Sequence, residues 1–310
     1  MQQVNCCETM QPDTLNQSSN EVNLSLSGKV EIIYTAVCVV NGVSSFAAIL
    51  GNFAALGAIW RTDSLHSPSH IFLFGLALSD FGVGLFVQPT FIALLVIQLK
   101  TAMYNAHYWN LFRFAQAVFV AATALTLTTV SVDKLMALTF HLKYNAVLTI
   151  KRACIVLFVI WIASIGYGST LLFSRRLHRD LNFVIFTSCL VVNSVAYFVI
   201  YRIARRHQLQ IHKQAQVLAQ PGKGNLNMKN YRKSVISMLF IFILFLICYV
   251  PYIFIRVFRH FVPRNPIQIG LALRLSAVIV YFNSCLNPLI YCWRMRELRR
   301  GMKTFLKTLC

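Results

Sequence analysis

Seven times along this chain, about twenty or more residues pass with almost no charge, and that repetition constrains the fold more than anything else in the sequence. The runs fall at about 30–60, 68–98, 106–140, 152–173, 181–204, 234–258 and 267–293. A helix rises 1.5 Å per residue, so ~20 apolar residues cross the ~30 Å hydrocarbon core of a bilayer. No water reaches backbone N–H and C=O groups there, so a spanning segment must satisfy them internally, and segments this long do so as helices rather than barrel strands. The expected fold is an all-α integral membrane protein, a seven-transmembrane helix bundle. Composition agrees: 57% hydrophobic and 12% charged residues in 310 are too apolar for a water-facing surface.

A net charge of +20 raises the question of nucleic acid, but beside seven apolar spans lipid headgroups are the better partner for the basic residues. Residues 1–29 form a polar tail without a signal-peptide core, so the first span is expected to act as its own insertion signal. The tail holds two glycosylation sequons, at Asn16 and Asn23. With the tail outside, 19 of the 29 Lys and Arg fall on the cytoplasmic side, which sets the orientation as N-out, C-in. Residues 30–293 form the bundle, and 294–310 a basic amphipathic eighth helix with Met295, Leu298, Met302, Phe305 and Leu309 on its apolar face. Such a helix is expected on the anionic inner leaflet, a solvated helix being the alternative, and Cys310 is a candidate palmitoyl acceptor. The basic connection 205–233 is interrupted by Pro221-Gly222 and is expected to be mobile and cytoplasmic. Nine cysteines lie mostly inside spans, and only Cys6-Cys7 is clearly external, so no loop-to-loop disulfide framework arises.

Asp80 lies mid-span, where a charge costs at least ~2.5–3.5 kcal/mol, so it needs partners within the bundle. Asn52, Thr123, Asn283, Ser284 and Asn287 are the candidates. A hydrated sodium site and a plain interhelical hydrogen-bond network both account for them. No Ser, His or Asp shows nucleophile or metal spacing, so an enzyme is not expected.

The stretches "NSCLNPLIY" (Asn283 to Tyr291), "LALSD" ending at Asp80, Gly51-Asn52, Trp161 and "FLICYVP" (Phe245 to Pro251) resemble the marks of a rhodopsin-like G-protein-coupled receptor, in order across all seven spans. The resemblance implies an extracellular ligand, a heterotrimeric G protein inside, and the plasma membrane as location. It puts Asp133-Lys134 in the place of the family's Asp-Arg-Tyr motif, where Lys134 would reach water or a partner protein. Tyr197, Asn287, Pro288 and Tyr291 join this pair as switch residues. Against the family pattern, Lys134 and Leu135 replace Arg and Tyr, Tyr249 replaces Trp, Trp109 stands where most members have cysteine, and Cys189 stands where helix five has proline. The last two, with a short cysteine-free loop from Ser174 to Asp180, resemble the branch of melanocortin, lysolipid and cannabinoid receptors.

Helical stepping back from Lys134 yields Val130, Leu127, Thr123, Val120, Gln116 and Arg113 on one stripe. On helix six, Tyr249, Tyr252 and Arg256 share a face; on helix seven Arg274, Ala277 or Val278, and Tyr281 do. Three arginines are expected to converge above an aromatic floor, although Arg256 and Arg274 lie where snorkelling to headgroups is an equal alternative. External loops and helix ends carry nine cations against Asp180, which favours an anionic or amphipathic ligand. By the resemblance, Gln116 replaces the acid of amine receptors and Tyr281 the Schiff-base lysine of opsins, so neither an amine nor retinal is expected. Trp109 and Arg113 stand where melanocortin receptors use acids. The competing function is a seven-helix transporter or channel with Asp80 in an ion path, against which the absence of internal repeats speaks.

Overall fold

The computed structural model describes residues 12–101, 106–140, 143–218, 242–244, 246–255, 257 and 266–308. The side chains of Asn16 and Asn23, together with Arg256, Cys310, Cys6-Cys7 and the segment 219–241, lie outside the described set. The helices are α1 (Pro12–Arg61), α2 (Pro68–Gly82), α3 (Gln88–Thr101), α4 (Ala106–Phe140), α5 (Tyr144–Val147), α6 (Ile150–Phe173), α7 (Arg175–Leu218), α8 (Phe242–Ile255), α9 (Pro266–Arg294) and α10 (Arg296–Lys307). Six stretches are long and apolar enough to cross a membrane: Glu31–Arg61, Pro68–Thr101, Ala106–Phe140, Ile150–Phe173, Arg175–Ile203 and Gln268–Trp293. The shorter apolar α8 completes the seven-helix bundle.

The bundle carries its polar groups inside and its apolar groups outside, as a lipid solvent demands. Phe158 and Val159 are 67% and 58% exposed, while Asn52, Ser79 and Asp80 are fully buried. Small residues let the helices close on one another. A Cβ at Gly51 would lie 2.8 Å from that of Pro288, so glycine is what allows α1 to meet α9 at its proline.

α1 starts at Pro12, inside the expected tail 1–29, instead of near 30, and three further features differ from expectation. The fifth helix starts at Arg175 instead of near 181: Ser174 Oγ caps it by accepting from Leu177 N at 3.3 Å, and no helix breaker occurs before Asp180. A single non-helical residue therefore joins α6 to α7. At its other end α7 runs to Leu218, through half of the expected loop, because the first strong breaker is Pro221-Gly222. Between α2 and α3, Val83–Val87 forms a π turn in which Gln88 N bonds Val83 O. Pro89 explains it: the ring clashes with the carbonyl four residues back and has no N–H, so the helix widens ahead of it. Gly84 O, which Pro89 cannot serve, instead accepts from Ser45 Oγ on α1 at 2.7 Å.

α10 is amphipathic as expected, but its apolar face is covered by protein rather than left to the lipid. Leu298, Met302 and Phe305 are buried. The Phe305 ring seats over Gly57, where any Cβ would overlap it, and Arg61 lies 5.1 Å above the same ring. Arg61 also donates to Thr308 Oγ1 at 3.2 Å.

Candidate functional site

A cavity of about 500 Å³ opens among α4, α6, α7, α8 and α9. Helical steps of three and four on α4 bring Arg113, Gln116 and Val120 to its wall, and Tyr249 and Tyr252 of α8 face the same space. Because α7 begins at Arg175, its first turn also joins the lining, with Arg175, Arg176 and Arg179. No Asp or Glu occurs among the described residues that line it. Asp180 lies 3.4 Å from Arg179, but both side chains are more than half exposed, so water weakens that pair.

Sequence reasoning missed His178, Asn182 and Tyr167. The first two follow from Arg175 at the spacing i, i+3, i+7, a stripe visible only once the helix is started at Arg175. Asn182 Nδ2 donates to the Tyr167 hydroxyl at 2.6 Å, and that hydroxyl lies 3.3 Å from His178 Nε2. Thr170 Oγ1 donates to Tyr167 O at 2.6 Å and lies 3.0 Å from His178 Nδ1. Since the threonine proton is already committed, this network assigns the imidazole proton to Nδ1, and Nε2 then accepts from Tyr167. The imidazole stacks on the phenol ring with centroids 4.6 Å apart.

Arg274 and Tyr281 do not line this cavity, which corrects the expected convergence of three arginines. Leu273 and Val280 face it instead, one helical position away. The stripe through Arg274, Ala277 and Tyr281 turns toward α1–α4. Tyr281 meets Phe91 edge-on at 5.6 Å. Arg274 donates to Gln98 Oε1 at 2.8 Å and lies 4.6 Å above Tyr34 and 5.9 Å from Trp109. One guanidinium thus ties four helices together.

Deeper in the bundle, Asn287 Nδ2 donates to Asp80 Oδ2 at 2.6 Å, and Ser284, one turn earlier on α9, is also buried. Thr123 donates to Ser79 Oγ at 2.9 Å rather than to Asp80. Pro288 leaves the Ser284 carbonyl without its helical donor, and Asn52 Nδ2 supplies one at 3.0 Å. Asp80 Oδ1, Asn52 Oδ1, Asn283 Oδ1 and Asn287 Oδ1 are buried acceptors without a hydrogen-bond partner. All four oxygens only accept, and one of them belongs to a carboxylate.

At the opposite end from the arginines, Asp133 is only 2% exposed. Ser69 Oγ donates to Oδ2 at 2.6 Å, Tyr144 Oη donates to Oδ1 at 2.5 Å, and Lys134 Nζ lies 3.5 Å away. The Lys134 side chain is only 12% exposed and folds back onto the carboxylate instead of reaching water, a second correction. Tyr144 comes from the short α5, and sequence spacing alone does not disclose it as a partner. Burial, followed by the bond to Asp133, pushes its phenol ionisation upward, so it stays a donor. Tyr197 lies 3.2 Å from Ser131 Oγ and stacks on Phe242 at 5.1 Å, while Tyr291 is fully buried.

Comparison with known proteins matches the sequence to the seven-transmembrane receptors of the rhodopsin family, over residues 51–182 and 175–291. The chain is 24% identical to a QRFP-like peptide receptor of Branchiostoma floridae over 84% of this chain and 74% of that one. It is 23% identical to melanocortin receptor 5 of Mus musculus over 94% and 91%, and 26% identical to adenosine receptor A2a of Equus caballus over 84% and 69%. With the match running from Gly51 on α1 to Tyr291 on α9, this chain belongs to the rhodopsin family of G-protein-coupled receptors.

Proposed function

We propose that this receptor binds an anionic small ligand at the arginine-rich end, facing outside, and activates a heterotrimeric G protein at the Asp133 end, in the plasma membrane. The observation that carries the ligand class is the cavity lined by Arg113, Arg175, Arg176 and Arg179 with no carboxylate among the described residues that line it. The relatives are named for peptide, melanocortin and adenosine recognition, so the class is argued from these side chains alone. A ligand acid meeting Arg113 would draw on α4 and α7 at once, while its body reaches Tyr249 and Tyr252 on α8. Beneath it, Asp80, Asn283, Ser284 and Asn287 would hold a sodium ion that favours the inactive packing, with Thr123 second in line through Ser79. Tyr197, Asn287, Pro288 and Tyr291 would carry the rearrangement to Asp133 and Lys134.

The test is Arg113→Ala. A bidentate guanidinium contact contributes ~1.5–3 kcal/mol, so an anionic agonist should weaken roughly ten- to hundredfold while its neutral analogue changes little. Arg113→Lys should recover part, since an ammonium lacks the planar fork. An agonist that is a cation and indifferent to Arg113 would overturn the proposal.

A further inference from the structure

We infer that the cavity selects a compact aromatic acid over an acid carried on an alkyl chain, an inference that rests on the anionic site proposed above. Two stacked ring pairs form its walls. Phe186 of α7 and Tyr249 of α8 lie with centroids 6.0 Å apart and planes 23° apart, and Tyr167 and His178 lie 4.6 Å apart at 22°. All four residues line the space that Arg113 lines. Three helices therefore bring aromatic side chains, each 5–8% exposed, to the border of one cavity of about 500 Å³, a size suited to a compact ligand.

The polar atoms of the Tyr167 wall are engaged with one another through the chain from Asn182 to Tyr167 to His178 and from His178 to Thr170. Held this way, the imidazole and phenol keep fixed planes. A rigid ring that stacks on such planes gives up little rotamer freedom, whereas a flexible chain loses freedom at every bond it must fix. The cavity thus carries two independent selectors, charge at Arg113 and flatness at the ring pairs.

The test uses purified full-length receptor in lipid nanodiscs, titrated at neutral pH with 2-naphthoate, decanoate and the amide of each. Both acids are fully ionised and of similar size, so charge and bulk are held constant. 2-Naphthoate should bind roughly three- to tenfold more tightly than decanoate. That preference should survive Tyr249→Phe, which keeps the ring, and shrink by about half or more in Tyr249→Leu, which leaves only the Tyr167–His178 pair intact and whose retained decanoate binding shows an intact fold. Equal affinities for the two acids, each above its amide, would overturn the aromatic selection and leave the anionic site standing. Acids binding no better than amides would overturn both. A preference undiminished in Tyr249→Leu would overturn the assignment to the ring pairs.

Discussion

Replacing Arg274 with methionine, which keeps an unbranched stem and removes the guanidinium, should destabilise the bundle rather than the ligand site. The structure allows the loss to be divided. A charged hydrogen bond such as that to Gln98 Oε1, 2.8 Å long, contributes ~1.5–3 kcal/mol. Cation–π contacts contribute ~0.5–2 kcal/mol, with the upper figure for a desolvated pair; the Tyr34 contact at 4.6 Å stands near that limit, and Trp109 at 5.9 Å lies at the edge of reach. Less the desolvation that methionine avoids, the net loss should be about 2–4 kcal/mol. Reversible unfolding in mixed micelles measures it, with double-mutant cycles against Gln98→Leu, Tyr34→Leu and Trp109→Leu. Coupling should fall in that order. A Trp109 coupling larger than that of Tyr34, or an Arg274→Met variant that weakens an anionic ligand as much as Arg113→Ala does, would refute the clamp. The clamp ties α1, α3, α4 and α9 together through one side chain.

Tyr144→Phe removes one of the two hydroxyl donors to buried Asp133 and should loosen α5 by ~1.5–3 kcal/mol, seen as faster hydrogen exchange over residues 143–148. Because the folded phenol ionises above its unfolded value of ~10, the stabilisation is fully present below that pH and is lost only as pH rises through the folded value; exchange protection that declines between pH 6 and 9 would contradict this. Gly57→Leu should drive Phe305 off α1 and expose α10 to protease, with Phe305→Ala partly restoring the docked helix; unchanged cleavage would show that the ring is not the anchor. Asp80→Asn should abolish the sodium dependence of agonist affinity, and equal sodium sensitivity in both proteins would remove the ion from the site.

The spans were legible because lipid leaves an apolar run of such length little choice but helix, and the wall of α4 was legible because its stripe ends in a charge that has to face inward. Helix ends were less so. The start of α7 depends on a single serine cap, and hydropathy does not register the mostly polar residues 175–180 that follow as helix. Sequence does not fix the facing of α9, because stripes one residue apart, through Leu273 and through Arg274, are both compatible with the interior, and only packing against Tyr34 and Gln98 decides. Tyr144 was invisible for another reason: its partner is eleven residues away and the contact exists only once a loop helix folds back. The π turn was in principle readable from Pro89, but periodicity templates assume an unbroken α-helix.

The one-residue junction at Ser174 has a kinetic consequence. A longer connection between α6 and α7 has room to fold across the cavity; one residue does not, so from that side the entrance has no cover to open before a ligand arrives. Arg175, Arg176 and Arg179 then act on molecules still in solution, drawing anions toward the mouth. Arrival should accordingly be fast and should slow as salt screens the field over the ~8–10 Å Debye length of ordinary buffers. With no cover to move on the α6–α7 side, differences in potency among ligands should lie in how long each one stays, so residence time, more than encounter, should set the strength and duration of the signal.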